Sequence, residues 1–247
     1  HYPLRRQRQM CIRDRSKTIL ITGVSKGIGK ALCEKLLDLG NIVVGTSRKL
    51  SDLEEISLKF PRNFYPYSLE LEDINQITSL AKYIEKDFDK LDVLFNNAGI
   101  LGQIIKLEKY DFDIWKKVIN INLNNQFYLT QSLLKLIKKS KKGSIVNVSS
   151  SVGRFPRETW GAYSISKSGL EAFTEILSQE LFKENIIVNS INPGGTATLM
   201  RKEAYPEEDQ SELPTADDIL PIFLYLASDE AEETGMKYNA REYIGSL

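Results

Sequence analysis

The chain has 247 residues, 42% of them hydrophobic, enough to bury one sizeable core, and its 33 basic side chains are balanced by 33 acidic ones. Zero net charge leaves no footprint for a nucleic-acid partner, and no apolar run approaches the ~20 residues of a membrane span. With only Cys11, Cys33 and His1 available, no zinc or other metal cluster, histidine triad or disulfide framework can be built; catalysis falls to Tyr, Lys, Ser, Asn or carboxylates in a reduced, cytoplasmic setting.

Residues 1–15, HYPLRRQRQMCIRDR, have no apolar periodicity and carry five Arg against one Asp. They read as translated adapter sequence, a non-native tail set apart from the domain expected over 16–247; the competing reading is a basic tail for an acidic partner. Thr18 to Thr22 is a short apolar strand, followed directly by Gly23-Val-Ser-Lys-Gly-Ile-Gly29 and an amphipathic pattern from Lys30 to Leu39. Strand, glycine turn and helix are the context of a dinucleotide fingerprint, in which Gly23, Ser25, Lys26, Gly27, Ile28 and Gly29 would lie against a pyrophosphate at the helix N-terminus. The Gly-x-x-x-Gly-x-Gly spacing departs from the commoner form, and as a bare pattern it marks a tight turn.

A second strand from Ile42 to Thr46 ends in Ser47-Arg48-Lys49; a helix from about Leu50 to Lys59, a third strand near Phe64 to Tyr67 and a helix from about Ile74 to Phe88 follow. Strand four, Asp92 to Phe95, runs into Asn96-Asn97-Ala98-Gly99, and one long helical pattern spans roughly Phe112 to Lys138, with Asn122 inside it. Strand five is Ile145 to Ser149, the next helix runs to about Phe182, and strand six is Ile186 to Ile191. This alternation predicts an α/β single domain, a doubly wound parallel sheet of Rossmann type with ligands at the carboxyl ends of its strands.

Tyr163 and Lys167 are four apart at the start of a helical pattern and share a face, so an ammonium stands beside a phenol and would favour phenolate. Ser150, at the end of strand five, could reach the same oxygen. Tyr-x-x-x-Lys is a cheap motif, since 11 Tyr and 22 Lys in 247 residues give roughly one match by chance. Its weight comes from the strand, the serine and the upstream glycine turn.

Taken together, Thr22-Gly23-x3-Gly27-x-Gly29, Asn96-Asn-Ala-Gly99, Asn122, Ser150, Tyr163-x3-Lys167 and Pro193-Gly194-x3-Thr198 occur in order, and the chain resembles the short-chain dehydrogenase/reductase family in its compact single-domain form. The resemblance implies a tetrad: Tyr163 as general acid or base, Lys167 tuning it and holding the nicotinamide ribose, Ser150 positioning the substrate oxygen, and Asn122 anchoring a relay water. It also implies an NAD(P)-dependent hydride transfer to or from a carbonyl or alcohol substrate. On the adenosine side it places Asn96, Asn97, Ala98 and Gly99, and near the nicotinamide Pro193, Gly194, Thr196 and Thr198. Glu70 stands where many members have Asp, so adenine recognition shifts toward the backbone of Leu71. The run Thr234 to Arg241 replaces the usual Val-Asp-Gly-Gly strand, which puts the carboxy-terminal packing and the tetramer interface in question. Several segments between Asn192 and Met236 are similar to the YciK-like branch.

The cofactor expected is NADP(H) in preference to NAD(H). Ser47, eighteen positions past Gly29, takes the place of the acid that would accept ribose hydroxyls, no carboxylate is expected there, and Arg48, Lys49 and Lys26 could meet a 2′-phosphate. As an alternative these three are ordinary surface charges. Arg201 could meet an anionic group or be a solvated charge. A homo-oligomer, dimer or tetramer, is expected on the outer faces of the Asn122 and Tyr163 helices, where Ser164, Ser168 and Gly169 would permit close approach unless they pack against their own sheet. The alternatives to a carbonyl reductase are a 3-oxoacyl thioester reductase and a non-catalytic NADP(H)-sensing protein.

Overall fold

A computed structural model describes residues 16–246; the tail read from residues 1–15 lies outside them. Seven parallel strands, β1 (Thr18–Ile21), β2 (Ile42–Ser47), β3 (Phe64–Ser68), β4 (Val93–Asn96), β5 (Gly143–Val148), β6 (Ile186–Asn192) and β7 (Lys237–Asn239), lie in the order β3-β2-β1-β4-β5-β6-β7. The chain winds outward from β1 to β3, then returns to place β4 beside β1. That reversal opens a crevice at the carboxyl ends of β1 and β4.

Both faces of the sheet are buried, which is why the strands read as continuous apolar runs. Ile19 and Ile21 point into one core with Leu32, Leu36 and Phe223, under α1 (Gly27–Asp38), α2 (Glu54–Lys59) and α9 (Leu220–Ala227). Leu20 and Leu94 point the other way, to Leu80, Leu133 and Leu177 of α3 (Ile74–Asp87), α5 (Asn125–Ile137) and α7 (Gly161–Glu180). Among the described residues no helix is long and apolar enough to cross a membrane.

The helix expected over 112–138 is two helices. Between α4 (Phe112–Ile119) and α5 the chain makes a π-helical stretch, Asn120–Asn124, and Asn122 sits inside it fully buried. Its amide grips both backbone groups of Ile100, accepting from the N–H at 2.9 Å and donating to the carbonyl at 2.8 Å. A π turn lets a polar side chain leave the helix for such a task. A second departure concerns α7: the Ser164 and Ser168 hydroxyls donate to the carbonyls of Val152 and Gly153 in α6 (Ser151–Arg154), so these serines face inward rather than toward a partner subunit. A methyl at Gly169 would strike Leu123.

The carboxy-terminal run does complete the sheet. β7 pairs with β6, and a buried ion pair fastens it to the site: Arg154 donates to Glu171 of α7 at 2.9 Å and to the carbonyl of Tyr238 at 3.0 Å, while Glu171 also accepts from Ser190 at 2.7 Å. The two charged side chains are 11% and 6% exposed, so each needs the other. Arg154→Leu leaves the Glu171 carboxylate stranded and is expected to cost about 3–5 kcal/mol of stability in denaturant titration, with much of the loss recovered when Glu171 is also made Leu. A loss under ~1 kcal/mol would mean the pair behaves as a solvated surface bridge.

Candidate active site

The glycine turn joins β1 to α1 in a conformation only glycine adopts freely, with φ of +74° at Gly23 and +57° at Gly27. At Gly29 a methyl carbon would lie 2.1 Å from the Gly23 carbonyl oxygen, so the turn and helix approach as closely as backbones can. Asn97 fixes the turn from β4, donating from its amide to the carbonyls of Thr22 at 2.8 Å and Gly23 at 3.1 Å. The N-terminus of α1 has no side-chain cap and no acidic residue in its first turn. Its open N–H groups and positive dipole end suit an anion.

From this turn a cleft of about 990 Å³ runs along the sheet edge to α7. Apart from Asn96 and Lys49, the residues expected to touch the cofactor line it: Gly23, Ser25, Lys26, Gly27, Ile28, Gly29, Arg48, Glu70, Leu71, Asn97, Ala98, Gly99, Tyr163, Lys167, Pro193, Gly194, Thr196 and Thr198, with Ser150 among them. Asn96 does not, because it turns into the sheet and donates to Thr130 at 2.9 Å and Asn147 at 2.8 Å. Asn122 stands behind the wall, acting on Ile100.

The Tyr163–Lys167 pair differs from expectation in one respect. Burial pushes the Tyr163 phenol up to about 12, and the hydrogen bond from Ser150 pulls it partly back. Burial likewise brings Lys167 down to about 8, against the opposing pull of Glu171 one turn on. The ammonium donates to the Val148 carbonyl at 2.7 Å and stands 5.8 Å from the centre of the Tyr163 ring. It is therefore held at the strand end beside the ring, and burial is the largest influence on the phenol.

Three features escaped the sequence. Asp52 lines the cleft beside Arg48 and accepts the Ser47 hydroxyl at 3.0 Å, so a carboxylate does stand where none was expected. Its position five residues past Ser47, in a 3₁₀ turn, places it outside the usual spacing. Trp160 packs on Tyr163 with centroids 5.8 Å apart, one helical turn before it. Arg201, at the start of α8 (Leu199–Ala204), is neither solvated nor free: it forks onto Glu208 with two 2.5 Å hydrogen bonds. Among the described residues no group of His, Cys, Asp and Glu could hold a metal ion.

The short chain dehydrogenase family matches residues 17–209, and the chain belongs to that family. It is 36% identical over 233 residues to the oxidoreductase YciK of Escherichia coli (strain K12), covering 91% of this chain and 92% of that one. A short chain dehydrogenase from Shigella flexneri 2a str. 301, solved in complex with NADP, superposes with a TM-score of 0.87 at 37% identity, covering 91% of this chain and 97% of the other. The 3-oxoacyl-[acyl-carrier-protein] reductase FabG of Thermotoga maritima is 33% identical over 232 residues, covering 89% and 94%. The protein is thus an oxidoreductase of the short-chain family, similar to YciK. The uncapped helix end and the glycine cradle, which a single methyl group would fill, fit the pyrophosphate of a nicotinamide dinucleotide.

Lys167 provides a pH test of the site. Its folded value lies below that of the unfolded chain, so the charged form opposes folding fully below about pH 8. The penalty shrinks as pH rises from about 8 toward the unfolded lysine value near ~10.4. The melting temperature of Lys167→Met minus that of wild type is therefore expected to fall as pH is raised from 7 to ~10. A difference independent of pH would show that the ammonium is fully solvated.

Proposed function

We propose that this chain is an NADP(H)-preferring carbonyl reductase or alcohol dehydrogenase in which Tyr163 moves the proton. The observation that carries this reading is the buried phenol of Tyr163, hydrogen-bonded by Ser150, in a cleft that begins at the glycine turn. Bound there, NADP(H) would supply or accept the hydride. Tyr163, protonated well above neutral pH, gives its proton to the carbonyl oxygen as the carbonyl carbon gains hydride, and takes it back in the reverse direction. The Ser150 hydroxyl, which donates to the phenol oxygen, would turn its single O–H to the substrate oxygen beside it. The Lys167 ammonium spends one donor on Val148 and offers its others to ribose hydroxyls and to the phenol. Asn122 acts as a positioning residue, fixing the Ile100 backbone at the cleft wall.

Tyr163→Phe keeps the ring and deletes the donor. It is expected to lower kcat by ~10²–10⁴-fold while the dissociation constant for NADPH stays nearly unchanged. Retention of a large fraction of kcat would remove Tyr163 from the chemistry.

On the adenosine side, Arg48 is exposed at the cleft and has no ion pair among the described residues, which suits a bidentate grip on a 2′-phosphate. Asp52 opposes that grip by like-charge repulsion and by occupying the Ser47 hydroxyl. Arg48→Ala is expected to weaken NADPH binding by ~1.5–3 kcal/mol in a fluorescence titration and to leave NADH nearly unaffected. Asp52→Asn should move NADPH affinity the opposite way. An equal response of both cofactors to either change would defeat the preference.

A further inference from the structure

Beyond Tyr163 the cleft changes character. Leu101, Val152 and Tyr163 form a buried apolar cluster, with Trp160 and Ala204 packed against it. From the phenol outward runs a ladder of flat groups: Trp160 lies 5.8 Å from Tyr163, Tyr205 lies 5.8 Å from Trp160, and the Arg201 guanidinium carbon sits 3.8 Å over the Tyr205 ring. The ladder ends at Glu208, which takes both arms of the guanidinium.

The arginine on this side is consequently spent. Arg201 is closed by Glu208, and Lys117, which also lines the cleft, pairs with Glu72 at 3.1 Å, while the Lys167 ammonium stays at the reacting end on the Val148 carbonyl. Glu203 also lines the cleft and has no ion pair among the described residues. A carboxylate or phosphate entering here would have to displace Glu208 from a bidentate arginine, pass an unpaired carboxylate and shed its water against apolar walls. An uncharged apolar group meets none of these costs, and it gains contact with the indole and the Leu101 and Ala204 side chains.

We propose that the substrate of this site is an uncharged ketone or aldehyde bearing a compact apolar group, such as a ring, and that the Arg201–Glu208 lock rejects oxo acids and phosphate-bearing carrier thioesters. This rests on the reductase reading above and names the substrate class for it. Closing the arginine with an internal carboxylate turns a potential anion clamp into part of an apolar wall, since its flat face is already covered by Tyr205.

The test measures kcat/KM at saturating NADPH for three sets of carbonyl compounds: acetophenone and cyclohexanone, pyruvate and oxaloacetate, and acetoacetyl-coenzyme A. Wild type is expected to favour the uncharged ketones by at least about tenfold, the discrimination a pocket contact of this kind supplies. Trp160→Ala should raise KM for acetophenone. Glu208→Gln frees the guanidinium and should lower KM for the oxo acids relative to that for the ketones. A wild-type preference for either anionic set overturns the proposal, as does an oxo-acid KM that Glu208→Gln leaves unmoved. Turnover of none of the three sets, with NADPH binding still detected by fluorescence, would instead strike the reductase reading on which the proposal rests.

Discussion

The site depends on one close approach, that of the glycine turn to the end of β4 at the reversal of the sheet. Gly29 lies so near the Gly23 carbonyl that any side chain there would push helix and strand apart, and Asn97 stitches the two carbonyls before it to the neighbouring strand. This contact sets where α1 begins, hence where its open N–H groups point. It also aligns the ends of β1 and β4, beside which β5 leads to Ser150 and presents the Val148 carbonyl that receives Lys167. Parallel pairing throughout keeps all strand ends on one edge, so binding and catalytic groups from distant parts of the chain meet in one cleft.

A cost accompanies that arrangement, because Tyr163 and Lys167 are buried before any ligand arrives. The phenol is held protonated and the ammonium is brought toward neutrality, both by desolvation. The fold tolerates this because a second layer of charge stands behind: Glu171 is one turn from Lys167, and Arg154 closes Glu171. Through Arg154 the same layer reaches β7, so the last strand of the sheet and the catalytic helix are fastened by one guanidinium. The acid-base pair is thus kept in an apolar setting and braced from behind by a satisfied polar network.

Much of this was legible in the sequence because it has local causes. Runs such as Ile186 to Ile191 can only be strands buried on both faces, and a glycine turn between strand and helix announces its own chemistry. Apart from Asn96, the cofactor residues expected from turn and motif line the cleft. What stayed hidden depends on contacts between segments or on competition between effects. Nothing in the sequence says that Asp52 will curl back onto Ser47 through a 3₁₀ turn, or that Arg201 will choose Glu208 over solvent. Asn96 matched its motif yet turned into the sheet to satisfy Thr130 and Asn147. Adjacency on a helix does not reveal burial, which holds the Tyr163 phenol up while the Lys167 ammonium stands 5.8 Å from its ring centre.

The central claim is that hydride and proton reach one carbonyl group in this cleft, the hydride from a bound NADPH and the proton from Tyr163. The most direct measurement is a single turnover with NADPH deuterated at nicotinamide C4 and an uncharged ketone, followed by mass spectrometry of the alcohol. The account predicts deuterium on the carbinol carbon from the cofactor labelled on one face and none from the cofactor labelled on the other. NADPH bound in the cleft with no deuterium transferred from either would contradict it.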